Sequence, residues 1–390
     1  MADWWRDQST ERGMTMEGKL MPQDWIAEAQ AIATEIAAHA ERHDAEESFV
    51  AEGYARLKEA GFFKALVPEA LGGGGAGFAD VCGAIRVLGA ACGSTALAFS
   101  MHTHLVAAAA WRLKHQGAPT EGLLRRVAAE ELILVSSGGS DWLESAGTAE
   151  KVEGGFRITA RKPFSSGCEL GDLLMTSAVY DDPEAGPTVL HFGVPLRTEG
   201  VTITDSWHVL GMRGTGSHDL MLDRVFVADA AISGRRPQGK WHMLFHVIGM
   251  IAFAAIYSAY MGVADGARRR ALEIARTRRP DSHLLQRIGE MENAHAAADM
   301  AMREMIAIAV DGEPGPATTS RAMTCRTLLG DATIGTVSRA MDVAGGAGFY
   351  RKAGLERALR DVQGARFHPL QREPQHALAA RVALGLDIDG

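Results

Sequence analysis

Residues 210–227 combine the residue types that let a protein backbone approach a ligand closely. The first half of this segment has three glycines within six positions, at Gly211, Gly214 and Gly216. Glycine permits sharp turns and close contact between the main chain and a ligand. The second half alternates apolar and polar residues, and the alternation slips near Arg224. We therefore expect a turn that faces a ligand and leads into a half-buried strand with a β-bulge.

Two histidines, His102 and His104, stand in the apolar stretch of residues 96–111. Side chains two positions apart point about 200° apart on a helix, so this pair cannot share a metal ion. One ring should therefore face inward. There it is either a hydrogen-bonded core residue or a group that handles protons at a buried site. The sequence alone leaves both readings open.

Composition narrows the class of protein. The 390 residues carry a formal charge of −8 with 47% hydrophobic residues, which is typical of a soluble globular chain and gives no electrostatic basis for nucleic-acid binding. The four cysteines lack the C-x-x-C spacing of a zinc site, and no metal site is predicted.

The polar N-terminus lacks the apolar core of a signal peptide, so we expect a cytoplasmic protein. Residues 244–263 are long enough for a membrane span but contain polar side chains, which favours a buried core helix and no membrane association.

The elements that must position these residues change type twice along the chain. Residues 22–128 have helical periodicity, residues 129–236 contain short β-type runs separated by Gly- and Pro-containing turns, and residues 237–390 are helical again. Residues 1–21 form an N-terminal extension. The glycine run at 72–77 follows a helix instead of a strand, so it predicts a turn and not a phosphate-binding loop. The fold class is α+β.

Four collinear motifs carry a family resemblance. GMRGTGSHDL at 211–220, SSGGSD at 136–141, KPFSSG at 162–167 and AGGAG at 344–348, the last followed by Arg360-Asp361, resemble motifs of the acyl-CoA dehydrogenase superfamily. Its members are flavoproteins. The resemblance implies an N-terminal helical domain, a central β-barrel, a C-terminal four-helix bundle and a homotetramer.

The same resemblance implies which residues bind a flavin. FAD is expected, with FMN as an alternative, because Gly345-Gly346 matches a segment that meets the adenine half of FAD in a neighbouring subunit. Phe164 stands in the place of a tryptophan and offers an aromatic face to the isoalloxazine ring, and Ser165 or Ser166 is expected near flavin N5. The cofactor-binding residues implied are Ser137, Gly139, Ser140, Phe164, Ser165, Ser166, Arg213, Gly345 and Gly346.

The chain departs from the dehydrogenases at the catalytic base. Most members place a glutamate eight residues after the Arg-Asp pair, and here that position is Pro369, which has no acid–base chemistry. Residues 246–250, where other members supply the base, contain no carboxylate. Glu373 lies four residues further on and is the alternative base if the loop is rearranged.

These departures resemble a second branch of the superfamily, the flavin monooxygenases similar to dibenzothiophene monooxygenase. That branch has histidines where this chain has His102 and His368, and it receives reduced flavin from a separate reductase. The resemblance implies oxygen activation for a small-molecule substrate, with His102, His368 and Ser166 as catalytic residues. An acyl-CoA dehydrogenase or oxidase with an unusual base, and a catalytically silent flavin-binding protein, remain as alternatives.

Overall fold

The structure is a computed structural model that describes residues 23–137 and 141–389. In this part of the chain, eleven α-helices and eight β-strands form a helical, a β and a second helical region. The first region contains α1 (Trp25–Ala37), α2 (Ala40–Glu46), α3 (Ala51–Glu59), α4 (Phe78–Ala91), α5 (Gly93–Gln116) and α6 (Glu121–Glu130). Residues 72–77 connect a short 3-10 helix to α4, so the predicted turn is confirmed.

The central region forms one mixed sheet in the order β6-β7-β3-β2-β4-β5-β8, with β1 parallel to β4. An apolar cluster that includes Phe156, Leu190 and Leu222 forms its core. Its strands are β1 (Leu134–Ser136), β2 (Thr148–Val152), β3 (Gly155–Lys162), β4 (Leu173–Asp182), β5 (Gly186–Pro195), β6 (Val201–Ile203), β7 (Leu220–Ala228) and β8 (Ile232–Pro237).

The predicted bulge lies in β7. Ile158 pairs with Val225 but Ala160 pairs with Leu222, so β7 contains one extra residue there, and Arg224 has a left-handed φ of 50°. Because of this extra residue, the apolar side chains of β7 face the core on both sides of the bulge. The prediction of a slip near Arg224 is confirmed.

The C-terminal region contains α7 (Met243–Arg276), α8 (Ser282–Asp311), α9 (Pro316–Ala344), α10 (Leu355–Asp361) and α11 (Arg372–Leu384). Helix α7 is long and apolar enough to cross a membrane, yet 94% of its apolar window is buried inside the protein. Its close approach to α4 requires glycine, because a Cβ on Gly262 would lie 2.2 Å from the carbonyl oxygen of Arg86. The α+β fold class is confirmed, with the predicted barrel present as the eight-stranded sheet.

The Arg-Asp pair at the end of α10 joins all three regions. The Arg360 guanidinium donates to Asp44 of α2 and to the carbonyl of Leu210. Asp361 Oδ1 accepts a 2.6 Å hydrogen bond from the amide of Met212. A Cβ on Gly211 would lie 2.3 Å from the Arg360 carbonyl carbon, so only glycine permits this contact. The glycine-rich segment is therefore held against both helical regions.

Candidate functional site

The turn after β3 presents an aromatic ring in a strained backbone conformation. Phe164 is 54% exposed, has a φ of +59° and contacts Trp207 edge to face with ring centroids 5.8 Å apart. A left-handed φ at a non-glycine residue costs about 1–3 kcal/mol and persists where the surroundings impose it. Here the Ser165 amide donates to the carbonyl of His218 at 3.1 Å. An exposed aromatic face held in place in this way suits stacking on a planar ligand.

The two serines that follow differ in what their hydroxyls can reach. Ser165 is fully buried and donates to a backbone carbonyl of β3 at 3.0 Å. Ser166 retains 7% exposure, and its Oγ lies 2.7 Å from Ser217 Oγ. Ser217 Oγ lies 2.7 Å from Thr215 Oγ1, which donates to the carbonyl of Met212 at 2.9 Å. We call Ser166, Ser217 and Thr215 the hydroxyl row; its last two members come from the GTGS motif.

A buried ion pair anchors the loop that was predicted to meet the flavin. Lys162 Nζ lies 2.6 Å from Asp141 Oδ1 and donates to the carbonyl of Ser177 at 2.6 Å. Thr176 Oγ1 donates to Asp141 Oδ2 at 2.7 Å, and the Ser137 hydroxyl donates to the same oxygen. Burial lowers the pKa of Lys162, and the charge of Asp141 opposes that shift. Ser137 is thus fixed at one end of the loop.

The remaining predicted flavin contacts lie elsewhere or outside the described residues. Gly139 and Ser140 belong to the undescribed positions 138–140. Arg213 Nε donates to a backbone carbonyl four residues earlier and lies 3.5 Å from a carboxylate at the end of α2. Gly345 and Gly346 begin a 3-10 helix after α9, and Gly346 is exposed. The flavin-binding roles of these residues stay predictions.

Both ring nitrogens of His102 are occupied by backbone groups. Its Nδ1 accepts a hydrogen bond from the amide of Leu134 at 2.9 Å, so its Nε2–H donates to the carbonyl of Phe63 at 2.7 Å. The ring is 2% exposed, and burial lowers its pKa to about 4. His102 therefore joins the 3-10 helix of Phe62–Lys64 to the first strand as a neutral core residue. Its proposed catalytic role stays a prediction that this geometry does not favour.

His104 has a free ring nitrogen instead. Its Nδ1 lies 3.2 Å from the carbonyl of Ser100, which can only accept, so Nδ1 carries the proton. Burial lowers the pKa of His104 to about 4, which leaves Nε2 as a lone-pair acceptor near neutral pH. Among the described residues, the His104 ring makes its one hydrogen bond through Nδ1. The sequence predicted that one of the two histidines faces inward, but both are buried because α5 packs on both sides, and His104 is the ring with the free nitrogen.

The His368 ring is half-buried and packs against two buried tyrosines, Tyr257 and Tyr260. His368 Nε2 lies 2.7 Å from Tyr260 Oη, and burial, Arg326 and His104 together lower its pKa to about 3. The Tyr260 hydroxyl has no other acceptor in the described chain and a pKa raised well above its usual value, so it donates to Nε2. The neutral His368 then carries its proton on Nδ1. Arg326 holds the backbone of this segment by donating to the carbonyls of His368 and Ala365.

The position of the dehydrogenase base carries no carboxylate. Pro369 stands there, and Glu373 is exposed in the first turn of α11. Asp361 is buried, and burial raises its pKa to about 6, but its carboxylate is bonded to the Met212 amide at 2.6 Å. Within the described residues, no cluster of three metal-ligating side chains occurs.

Comparison with known proteins places this arrangement in a family. Models of the acyl-CoA dehydrogenase N-terminal, middle and C-terminal domains match residues 25–118, 136–225 and 247–373. The chain belongs to the acyl-CoA dehydrogenase superfamily. The resemblance predicted from the four motifs is confirmed.

Relatives come from both branches of the superfamily. YdbM of Bacillus subtilis (strain 168), which carries a provisional acyl-CoA dehydrogenase name, is 26% identical over 91% of this chain and 96% of its own. Dibenzothiophene monooxygenase of Rhodococcus erythropolis (strain XP) is 28% identical over 80% of this chain and 82% of its own. The structure of KijD3 in complex with FMN and a dTDP-linked amino sugar superposes with a TM-score of 0.86 at 24% identity, covering 96% of this chain and 97% of KijD3.

The described residues fit a flavin. The Phe164 ring offers a flat apolar face, Ser166 offers a hydroxyl beside it, and Ser137 ends the anchored loop. A polar edge beside an exposed aromatic plane matches the shape and hydrogen-bonding needs of an isoalloxazine ring.

Proposed function

We propose that this protein is a two-component flavin-dependent monooxygenase. The single observation that carries the proposal is that Pro369 stands where an acyl-CoA dehydrogenase needs a carboxylate, while the adjacent His368 and the buried His104 are neutral near pH 7. Relatives named as monooxygenases, at up to 28% identity, support it.

Flavin is held at the β-domain. Phe164 would pack against the ring, Ser166 would bind its N5 edge, and Ser137 would lie at its pyrimidine edge. When bound in its reduced form, the flavin supplies the two electrons that activate molecular oxygen. FAD and FMN both present this ring system, and a separate reductase supplies it reduced.

The two histidines have opposite proton character. His368 Nδ1–H is a donor, because Tyr260 holds Nε2. His104 Nε2 is an acceptor, because Ser100 holds Nδ1–H. His368 can therefore donate a proton to the oxygen atom that leaves as water, and His104 can accept a proton from the substrate side. The burial of His104 and the packing of His368 against Tyr257 and Tyr260 limit the access of bulk water to these protons.

An acyl-CoA dehydrogenase is the second candidate, favoured by the intact glycine-rich segment and the YdbM match. Anaerobic mixing of the protein loaded with oxidised flavin and saturated acyl-CoAs of several chain lengths separates the two functions. The monooxygenase proposal predicts that the flavin absorbance stays unchanged. Rapid bleaching with any chain length would overturn the proposal and make Glu373→Gln the next variant to test.

Assembly and location complete the proposal. We infer a homotetramer, in which Gly345 and Gly346 reach the cofactor of a neighbouring subunit, and a cytoplasmic location. Light scattering at four times the 41.6 kDa chain mass supports the tetramer, and a monomer contradicts it. Recovery in the soluble cytoplasmic fraction supports the location, and recovery with membranes contradicts it.

A further inference from the structure

The hydroxyl row has one possible arrangement of its protons. The Met212 carbonyl can only accept, so the Thr215 hydroxyl must donate its proton to the 2.9 Å hydrogen bond with that carbonyl. Thr215 has then no second proton, so Ser217 must donate across the 2.7 Å contact to Thr215. The Ser217 hydroxyl proton is then engaged with Thr215, so Ser166 must donate its own proton to Ser217 across their 2.7 Å contact.

Burial prevents the row from changing direction. Thr215 is fully buried and Ser217 is 3% exposed, so water has little access to offer another acceptor. Reversing either contact would leave two oxygen lone pairs facing each other 2.7–2.9 Å apart. The Oγ of Ser166 therefore faces its surroundings with lone pairs alone.

This fixed direction distinguishes the two redox states of a flavin. Reduced flavin carries a hydrogen on N5 and donates from it, whereas N5 of oxidised flavin carries a lone pair and accepts. A hydroxyl that can only accept forms a hydrogen bond with the N5–H of reduced flavin. Opposite oxidised flavin, its lone pair meets the lone pair of N5 and no hydrogen bond forms. A mismatch at a buried polar group costs more than a good match gains.

We propose that Thr215 and Ser217 are positioning residues that fix Ser166 as an acceptor, so that the protein binds reduced flavin in preference to oxidised flavin. The inference rests on the proposed flavin site, and it assigns a task to the GTGS motif. It matches a protein that must capture a reduced flavin delivered by another enzyme and release it after oxidation.

Affinity for each redox state tests this inference without any turnover. The dissociation constants of oxidised FMN and of FMN reduced anaerobically are measured for the wild type, Ser217→Ala and Thr215→Val. Either substitution frees a proton that lets Ser166 donate to oxidised N5. We expect the ratio of oxidised to reduced dissociation constant to fall about tenfold in both variants. The midpoint potential of bound flavin should fall by about 30 mV, the equivalent of tenfold for a two-electron couple.

Thr215→Val is the sharper variant, because Thr215 lies two hydroxyls away from the flavin edge. Thr336→Val is its matched control: Thr336 is also fully buried, and its hydroxyl donates to Ala332 in its own helix at 2.8 Å. The control should leave the ratio unchanged. In a Ser166→Ala background, adding Ser217→Ala should change nothing further, since the effect acts through Ser166.

Unchanged ratios in folded Ser217→Ala and Thr215→Val, or a wild type that prefers oxidised flavin, would overturn the inference alone. A wild type that binds neither form would overturn the proposed flavin site together with the inference. A wild type that prefers reduced flavin and yet is bleached by acyl-CoA would overturn the proposed monooxygenase function alone. The two failures are therefore distinguishable.

Discussion

His102 and His104 are buried and His368 is half-buried, and the hydrogen-bond partners of each ring decide what it can do. His102 is bonded to backbone groups at both nitrogens, His104 at one, and His368 to a tyrosine. Burial lowers the pKa of all three to about 4 or below, so all are neutral near pH 7. Only His104 and His368 have a nitrogen left for chemistry.

A matched pair of substitutions separates structural from chemical roles. His102→Phe leaves the Leu134 amide and the Phe63 carbonyl without partners, so we expect the free energy of unfolding to fall by at least about 2 kcal/mol. His104→Phe removes a single contact within its own helix and should cost clearly less. Urea unfolding followed by tryptophan fluorescence measures both. Equal losses would contradict the assignment of His102 as the structural ring.

At the scale of elements, the end of β3 carries the site. Lys162 is its last residue, holds the Asp141 loop and precedes the strained turn that presents Phe164. One strand end therefore positions both the loop and the aromatic face.

Breaking the buried Lys162–Asp141 ion pair should strongly destabilise the protein. Lys162→Met leaves the Asp141 carboxylate buried without its cation, and we expect a loss of about 3–5 kcal/mol in the free energy of unfolding together with weaker flavin binding. Lys151→Met is the control, because the Lys151–Asp229 pair is almost half exposed on both sides. It should cost at most about 1 kcal/mol. Similar losses in denaturant titrations of the two variants would show that the buried pair does not anchor the loop.

The junction at the end of α10 predicts a pH effect with a definite sign. Burial raises the pKa of Asp361 from 3.8 to about 6, so the folded protein holds a proton there that the unfolded chain releases. The stability contribution is complete below about pH 4 and is lost as the pH rises to about 6. Asp361→Asn keeps an acceptor for the Met212 amide and removes the buried charge.

We therefore expect Asp361→Asn to match the wild type near pH 4 and to exceed its unfolding free energy by about 3 kcal/mol above pH 6. Denaturant titrations across that range provide the measurement. A difference that does not grow between these pH values would exclude Asp361 as the titrating group.

At the scale of the whole molecule, the order of helical, β and helical regions followed from the sequence because long apolar periodicity indicates element type. The same patterning located the β7 bulge. It did not give the bounds of β2, β8 and α11, whose sequences TAEKV, ISGRRP and REPQHALAARVAL lack a sustained apolar face. The positions of these elements are set by pairing with other strands and packing on other helices, which a local sequence pattern does not show.

The site was predictable only in part for the same reason. The motifs grouped Phe164 and Ser166, which the structure places in one turn because neighbours in sequence stay together, and their flavin-binding roles stay predictions. The choice between His102 and His104 depended on backbone groups 32 and 39 residues away, and the hydroxyl row depended on a contact across 51 residues. Such contacts are set by tertiary packing. The domain boundaries at 128 and 236 stay predictions.

Hydrogen peroxide release from reduced flavin tests the central claim most directly. Anaerobic protein loaded with reduced FMN is mixed with oxygen, and peroxide is followed beside free reduced FMN and the His368→Phe variant. We expect the wild type to release peroxide much more slowly than free flavin, because His104 and His368 control the protons that peroxide release needs, and we expect His368→Phe to remove the delay. Peroxide released by the wild type as fast as by free flavin would contradict oxygen activation at this site.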